Sequence, residues 1–271
     1  MLQYVVVRDA LSDADALALH AALDDIHAVK LAEDAARPDP AHRDIPHRMA
    51  IFSPANSLGL APPVLDLVRN TRVLPKVVDV LGWNVSLYHA HANITPGPDA
   101  DGLVVDGQGR ATPQLAQRPP KGQEKTFGWH QDTSRVNIEM DAHPGPRLSV
   151  KVAYFLTDLV DDSQGPTWVV PKSHKRSQLA GEYLREHHAD GIGQPEGAIP
   201  ILCPANSALI FDRRLYHTAA PNWSDTVRKA FFVRALPTLT YQLPRDRMSK
   251  LLPAITAAAP CLITQAAQWI W

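Results

Sequence analysis

Gly128-Trp129-His130-Gln131-Asp132 is the stretch that decides the fold and the chemistry of this chain. Successive side chains of a β-strand point to opposite faces, so a strand here places His130 and Asp132 together on one face. A further histidine, His217, and a basic residue, Arg228, follow later in the chain. Two histidines and one carboxylate make a three-ligand face with open positions, which suits non-haem Fe(II) that activates O2.

Arg228 is predicted to bind a carboxylate next to the metal. The turn-rich segment Asn222-Trp223-Ser224-Asp225 predicts a hairpin, in which His217 and Arg228 lie beside each other on the two strands. A guanidinium in that place binds a carboxylate through two parallel hydrogen bonds. The alternative is a salt bridge at the rim of the protein, for example to Asp225.

The composition is that of an ordinary globular protein. The chain has 271 residues, of which 45% are hydrophobic and 20% charged, enough for one large domain with a core. A net charge of −1 argues against a general affinity for nucleic acid or for an anionic membrane. Two cysteines exclude a disulfide framework, and the N-terminus does not resemble a signal peptide, so we expect a cytoplasmic protein.

The C-terminal residues 251–271 contain no charged side chain. Pro253 and Pro260 would both fall inside any membrane span, together with two glutamines, so membrane insertion is not expected. We expect this segment to pack against the body of the protein or against the second subunit of a homodimer.

The sequence pattern predicts helices first and strands afterwards. Apolar residues at helical spacing, with Ser12-Asp13 as a cap and Gly82 as a stop, predict helices over 13–25, 62–69 and 72–81. Strands are predicted over 85–94 and near 126–132, 147–157, 167–170, 207–212, 216–220 and 227–236. A long loop over 97–124 and a helix over 175–189 complete the prediction.

These elements predict a fold that is mostly β with flanking helices. We expect one domain over 1–271, with an N-terminal helical layer over about 1–82 and a tail over 237–271. The part between them, about 83–236, is predicted to be a β-barrel of two sheets.

Three segments of the chain resemble the signature segments of the phytanoyl-CoA dioxygenase (PhyH) family. They are Trp129-His130-Gln131-Asp132, Gly165-Pro166-Thr167-Trp168-Val169-Val170-Pro171-Lys172-Ser173-His174, and the pair His217 and Arg228. The resemblance runs in order from about residue 80 to 236, and the N-terminal helices share it less distinctively. It implies an Fe(II)- and 2-oxoglutarate-dependent oxygenase with a double-stranded β-helix (jelly-roll, cupin-like) core.

The resemblance also implies roles for individual residues. His130, Asp132 and His217 would ligate iron, and Arg228 would bind the distal carboxylate of 2-oxoglutarate. Relatives that halogenate have a small residue in place of the aspartate, so the presence of Asp132 favours hydroxylation or another oxidation.

Further candidates for binding 2-oxoglutarate are Thr167, His91 and Asn93. The resemblance places the Thr167 hydroxyl on the co-substrate and the strand that carries His91 and Asn93 along its pocket. For these two, polar residues on a wet strand face are the equally open alternative. The chain departs from the family in two places: Lys172 replaces a common glycine, and Ala219 replaces a serine or threonine that helps to hold the co-substrate in some members.

The sequence gives less information about the substrate than about the metal site and the co-substrate. Trp129, Arg135 and Trp168 are candidates for a substrate pocket, and Arg135, Arg147 and Lys151 are basic residues that can meet an anionic group. A small-molecule metabolite of a biosynthetic pathway is expected, although a carrier-bound acyl chain, a free amino acid and a natural-product scaffold all stay open.

Two other classes of protein compete with the oxygenase. A cupin-type metalloenzyme uses the same ligands without 2-oxoglutarate, and such an enzyme has no need of a carboxylate-binding Arg228. A non-catalytic jelly-roll binding module with structural histidines binds no Fe(II) and tolerates the loss of His130.

Overall fold

Two packed antiparallel sheets form the centre of the protein in the computed structural model. The structure describes residues 3–36, 48–52, 62–98, 103–105, 111–113, 118–123, 125–126, 128–132 and 147–237. Its strands are β1 (Tyr4–Val7), β2 (Arg48–Phe52), β3 (Val85–Thr95), β4 (Leu103–Val105), β5 (Ala111–Pro113), β6 (Val150–Phe155), β7 (Thr167–Val170), β8 (Ile199–Pro200), β9 (Ser207–Asp212), β10 (Tyr216–Ala219) and β11 (Arg228–Pro237). Six of them form one sheet in the order β1-β9-β6-β11-β3-β2, three form another in the order β10-β7-β8, and β4 pairs with β5. This is the predicted jelly roll.

Alternation along the strands gives the six-stranded sheet two different faces. On β6, Val152 and Tyr154 pack in the cluster that includes the helices, whereas Ala153 and Phe155 pack between the two sheets. Both faces are buried, which explains why this strand is an almost continuous apolar run in the sequence. Lys151 is the exception in that run, and it lies on the inner face with Ala153.

Within the described residues, four α-helices accompany the sheets: α1 (Asp13–Ala36), α2 (Pro62–Val68), α3 (Leu74–Leu81) and α4 (Ala180–His187). The predicted cap of α1 is confirmed, since the Ser12 hydroxyl accepts the backbone N–H of Asp15 at 3.2 Å. The helix continues past the predicted end at residue 25 to Ala36. Gly82 ends α3 as predicted, with a left-handed φ of 86° that glycine adopts freely.

The predicted helical layer over 1–82 also contains two strands. β1 and β2 come from this part of the chain and occupy the two edges of the six-stranded sheet. Tyr4 of β1 lies opposite Phe211, so the N-terminus is tied into the sheet. Both strands are short and lack a long alternating pattern, so they give a weak signal in the sequence.

The other predicted elements differ in how well they match. The strands over 167–170 and 207–212 have the predicted limits. The stretch near 126–132 has no continuous strand among its described residues, where His130 forms a single bridge to His217. The predicted helix over 175–189 divides into a 3-10 turn at Ser173–Lys175 and helix α4, and the predicted loop over 97–124 contains β4 and β5.

The predicted hairpin between His217 and Arg228 is wrong. His217 lies opposite Val169 in the three-stranded sheet, and Arg228 lies opposite Thr95 in the six-stranded sheet. β11 has β6 and β3 on its two sides and no free edge for β10. The chain therefore crosses from one sheet to the other between these two strands.

Asn222 holds this crossing in place. Its side chain is fully buried. The amide nitrogen donates to the carbonyl oxygens of Thr95 at 2.9 Å and Thr226 at 2.5 Å. The amide oxygen accepts the N–H of Ser224 at 3.1 Å and its hydroxyl at 2.7 Å. One side chain thus joins the crossing to the end of β3.

Asn222→Ala is expected to lower the free energy of unfolding by about 2–4 kcal/mol, because it leaves several buried polar groups without a partner. Urea unfolding followed by circular dichroism measures this change. Asp225→Ala, an exposed position in the same turn, is the control and should change stability by less than about 0.5 kcal/mol. Equal effects of the two variants would contradict the role of Asn222.

No helix within the described part of the chain is both long and apolar enough to cross a membrane. The expected packing of the C-terminal tail falls on residues from 238 onwards, which lie outside the described residues. The homodimer and the cytoplasmic location stay predictions.

Candidate metal centre

His130, Asp132 and His217 come together between the two sheets. One donor atom from each lies within 4.8 Å of the other two. The Nε2 atoms of His130 and His217 are 3.8 Å and 3.7 Å from the Asp132 carboxylate oxygens. Backbone hydrogen bonds of 3.0 Å in both directions join His130 to His217, and the Asp132 N–H donates to the Arg213 carbonyl at 2.9 Å. Main-chain pairing therefore brings the three residues together.

The two histidines present the same nitrogen to the centre. Nδ1 of His130 lies 3.0 Å from the carbonyl oxygen of Gly128, and Nδ1 of His217 lies 2.8 Å from that of Leu215. A carbonyl oxygen only accepts, so Nδ1 carries the hydrogen in both rings. Each Nε2 then has a free lone pair, which is the form of histidine that binds a metal. With the carboxylate of Asp132, these atoms fit a divalent cation.

Asp132 is ionised despite being buried. Only 3% of the residue is exposed. Lys151 Nζ lies 3.2 Å from one carboxylate oxygen, and Arg234 Nη2 lies 2.5 Å from the other. Burial by itself would raise the pKa of Asp132, but the adjacent cations Lys151 and Arg234 hold it far below its usual range. The site therefore contains a permanent negative charge.

The histidines are held in the neutral state. Burial lowers the pKa of His217 well below its usual value, and the neighbouring His130 lowers it further. Burial and the nearby Lys151 also lower the pKa of His130. Neutral histidines are available to a metal without first losing a proton.

This burial makes the stability of the metal-free protein depend on pH. Below about pH 6.5, the usual histidine value, the unfolded chain takes up a proton at His217 that the folded chain does not. The free energy of unfolding should therefore fall by about 1.4 kcal/mol per pH unit for this group as the pH decreases. Urea unfolding of the metal-free protein at pH 7.5 and 5.5 measures the slope.

Between pH 7.5 and 5.5, a group with an unfolded pKa near 6.5 contributes about 1.4 kcal/mol in all, so the variant His217→Gln should reduce the measured slope by about 0.7 kcal/mol per pH unit relative to the wild type. Thr218→Val, at the neighbouring position of β10, removes no ionisable group and is the control that should leave the slope unchanged. Equal slopes in the wild type and in His217→Gln would contradict the neutral, buried state of His217.

Arg228 is a buried cation on β11, the strand that also carries Arg234. It is 2% exposed, and none of its three guanidinium nitrogens has a hydrogen-bond partner among the described residues. The guanidinium carbon lies 5.9 Å and 5.8 Å from the ring centres of Phe155 and Phe232. Burial lowers the pKa of Arg228 to about 10, so the group is still positive at neutral pH. A buried guanidinium without a partner fits a site for a carboxylate.

A cavity between the sheets is lined by both candidate histidine ligands, His130 and His217. Its described lining includes Thr167, His91 and Asn93, the residues that the sequence suggested for the co-substrate, and also Phe232. The Thr167 hydroxyl and the Asn93 amide oxygen are buried and have no hydrogen-bond partner among the described residues. The His91 ring stacks on Phe232, with ring centres 4.7 Å apart. The cavity thus has both an apolar wall and polar groups for orienting a ligand.

The two departures from the family pattern, Lys172 and Ala219, lie in different parts of the structure. Lys172 has a left-handed φ of 68° in the turn after β7, a conformation that favours glycine. Ala219 lines the cavity and lies directly opposite Thr167 across the strand pair β7–β10. The hydroxyl that Ala219 lacks is therefore available from its cross-strand neighbour.

The prediction that Trp129 and Trp168 line the substrate pocket is not supported by their positions. Both belong to a separate hydrophobic cluster with Tyr183 of α4 and Tyr216. For Trp168 the reason is alternation along β7, because its neighbour Thr167 faces the centre. Trp129 lies outside any continuous strand, and its indole N–H donates to the Gln194 side chain at 2.5 Å.

The predicted basic residues also differ in position. Arg135 lies outside the described residues. Arg147 pairs with Asp212 at 3.1 Å. Lys151, which the sequence suggested only as a contact for an anion, lies at Asp132.

Arg234 is the site residue that the sequence prediction missed. It lines the cavity and contacts Asp132. Its position on the same face of β11 as Arg228 and Phe232 was a usable signal, since residues at even spacing along a strand share a face. Lys151, a single charge in the apolar stretch Val150–Phe155, was a similar signal.

Comparisons with known proteins agree with this geometry. A family model described as phytanoyl-CoA dioxygenase (PhyH) matches residues 4–230. An ectoine dioxygenase of Nocardia farcinica is 27% identical over 191 residues, which cover 64% of this chain and 55% of that protein. The match therefore spans about half the length of this curated relative.

Two solved structures share the fold at low sequence identity. EctD from S. alaskensis, in its apoform, matches with a TM-score of 0.59 and 19% identity, over 90% of this chain and 75% of that chain. HygX from Streptomyces hygroscopicus, with nickel and 2-oxoglutarate bound, matches with a TM-score of 0.57 and 15% identity, over 90% and 85%.

Proposed function

The chain belongs to the phytanoyl-CoA dioxygenase family, and we propose that it is an Fe(II)- and 2-oxoglutarate-dependent dioxygenase that oxidises a C–H bond of a small-molecule metabolite. Hydroxylation in a biosynthetic pathway is the proposed form of this reaction. The observation that carries the proposal is the buried guanidinium of Arg228, which has no hydrogen-bond partner among the described residues and lies against Phe232. Phe232 lines the same cavity as the two neutral histidines that lie beside the ionised Asp132.

His130, Asp132 and His217 would hold the iron. They offer two Nε2 lone pairs and one carboxylate, and this donor set leaves positions free for further ligands. When bound, Fe(II) supplies O2 activation coupled to the oxidation of 2-oxoglutarate to succinate and carbon dioxide. The carbonyl oxygens of Gly128 and Leu215 fix the two imidazole rings, so the ligands are oriented before the metal arrives.

Arg228 would bind the distal carboxylate of 2-oxoglutarate. The Thr167 hydroxyl and the Asn93 amide are further polar groups for the same co-substrate, and the stacked rings of His91 and Phe232 would support its carbon chain. A charged hydrogen bond formed in a buried place is stronger than one in water.

The surroundings of the centre would exclude water on all sides but one. Asp132 and His217 are each 3% exposed. The side chain of His130 is 40% exposed, which makes it the open corner of the centre. The substrate and O2 would approach there, while the buried sides protect the reaction from solvent.

Ectoine is the first candidate substrate to test, since the curated relative is an ectoine dioxygenase. The relationship is distant and covers about half of that protein, so the panel should also contain free amino acids and other small metabolites.

Anaerobic addition of Fe(II) and 2-oxoglutarate to the purified protein is expected to give a weak visible charge-transfer band. Arg228→Ala should raise the 2-oxoglutarate concentration for half-saturation at least about tenfold, since charge-assisted hydrogen bonds contribute about 1.5–3 kcal/mol. The control Lys229→Ala removes a charge from the same strand, where Lys229 pairs with Asp24 of α1, and should leave the band unchanged.

Asp132→Ala should abolish the band because it removes a metal ligand. A normal band in that variant would overturn the metal site, and an unchanged 2-oxoglutarate requirement in Arg228→Ala would place the carboxylate elsewhere. Iron binding without a band would favour the cupin-type metalloenzyme that does not use 2-oxoglutarate. A protein that binds no iron would be a jelly-roll binding module.

Succinate release in air across the substrate panel tests the reaction itself. The true substrate should increase succinate formation at least about tenfold over the protein with Fe(II) and 2-oxoglutarate alone, because substrate binding couples O2 activation to C–H oxidation. The oxidised product should form in equal amount to succinate by mass spectrometry. If no compound increases succinate formation, ectoine and the other compounds of the panel are excluded as substrates.

A further inference from the structure

Lys151 and Arg234 form a pair of cations on the inner face of the six-stranded sheet. They lie directly opposite each other across β6 and β11. Both line the cavity that contains the candidate metal centre. Like charges placed opposite each other in a sheet destabilise it, so this arrangement needs a compensating anion.

In the structure, that anion is Asp132. Arg234 Nη2 lies 2.5 Å from one oxygen of Asp132, and Lys151 Nζ lies 3.2 Å from the other. Lys151 Nζ is also 3.5 Å from His217 Nε2 and 5.6 Å from the ring centres of both Phe211 and Phe232. The two cations therefore lie at the atoms that would bind the metal.

Metal binding would change what these cations contact. A divalent ion held by Nε2 of His130, Nε2 of His217 and Asp132 takes the negative charge that Lys151 and Arg234 now share. Arg234 also has a buried Nε without a hydrogen-bond partner among the described residues, so its capacity to donate is not used up. Arg234 then has a donor available for another anion.

The charges of the loaded site indicate whether Lys151 and Arg234 still need an anion. This argument rests on the proposed function. The two positive charges of Fe(II) and the one on Arg228 are balanced by Asp132 and the two carboxylates of 2-oxoglutarate. The positive charges of Lys151 and Arg234 remain. The residues that line the cavity in the described part of the chain include no acidic side chain. Buried charges are stable only when they are compensated.

We propose that Lys151 and Arg234 bind an oxyanion, a carboxylate or phosphate group, of the substrate next to the metal. The substrate class is therefore an anionic metabolite. Arg234 supplies a planar donor that matches two oxygens, and Lys151 supplies a point charge between two aromatic rings. Binding the anionic end at the metal places the neighbouring carbon atoms of the substrate within reach of the reaction.

The full-length protein, loaded anaerobically with Fe(II) and 2-oxoglutarate, is the material for the test. Acetate, butyrate and inorganic phosphate are the anion probes, and acetamide and butyramide are neutral counterparts of the first two. The perturbation of the visible charge-transfer band reports binding next to the metal without any turnover.

The variants are Arg234→Gln and Lys151→Gln, which remove one charge each, and Arg234→Lys, which retains it. Lys229→Gln is the matched control, because Lys229 lies on β11 but pairs with Asp24 on the outer side of the sheet. For the wild type and Lys229→Gln, at least one anion should change the band in a saturable way, and the amides should not. Arg234→Gln and Lys151→Gln should weaken that binding at least about tenfold, and Arg234→Lys should restore most of it.

A titration with 2-oxoglutarate separates the two possible sources of the oxyanion. If the substrate supplies it, Arg234→Gln and Lys151→Gln keep the wild-type half-saturation for 2-oxoglutarate within about threefold. If half-saturation rises tenfold and the probes have no effect, the pair binds the metal-proximal carboxylate of 2-oxoglutarate, and the substrate assignment is overturned. If neither measurement changes, the pair only stabilises the fold, and the proposal is also overturned.

Absence of the band in the wild type would contradict the proposed function rather than this inference. In that case, the thermal unfolding midpoint of the same protein still tests the pair. It is compared between acetate and acetamide, and between samples with and without phosphate. Stabilisation by the anions that is lost in Arg234→Gln would support the oxyanion site. Equal midpoints with acetate and acetamide, and no change with phosphate, would overturn it.

Discussion

The buried carboxylate of Asp132 is the interaction on which the centre of this protein depends. Lys151 and Arg234 form ion pairs with it, and the Nε2 atoms of both histidines lie within 4 Å of it. Without that charge, two cations would lie opposite each other in the middle of a sheet. The group that would bind the metal therefore also stabilises the surrounding barrel, and stability and function are coupled at one side chain.

The two faces of the six-stranded sheet explain how such a polar centre is tolerated. Apolar side chains of the outer face pack with α1, α2 and α3, and they supply much of the burial that stabilises the fold. The inner face can then present charged and polar groups, such as Lys151, Asn93 and Arg228, to a cavity. Residues one position apart on a strand thus serve different purposes, because the pleat sends them to opposite sides.

Arg228 shows how tertiary structure changes the basis of a sequence prediction. A hairpin was expected to place this residue beside His217, but the two residues belong to different sheets. The link between them is indirect: the Arg228 guanidinium lies against Phe232, which lines the same cavity as His217. Similarly, Thr167 stands opposite Ala219 through strand pairing between β7 and β10, so the missing hydroxyl has a neighbour to replace it.

The sequence by itself determined the local features: the three metal-binding candidates, the cap at Ser12, the stop at Gly82, and the limits of β7 and β9. Each depends on residues close together in the chain or on motifs of a known family. The tertiary structure decided which strands pair, and hence the edge positions of β1 and β2, the crossing at Asn222 and the pairing of Lys151 with Arg234. These contacts join residues far apart in the chain, and local periodicity contains no information about such partners, because pairing depends on the packing of the whole barrel.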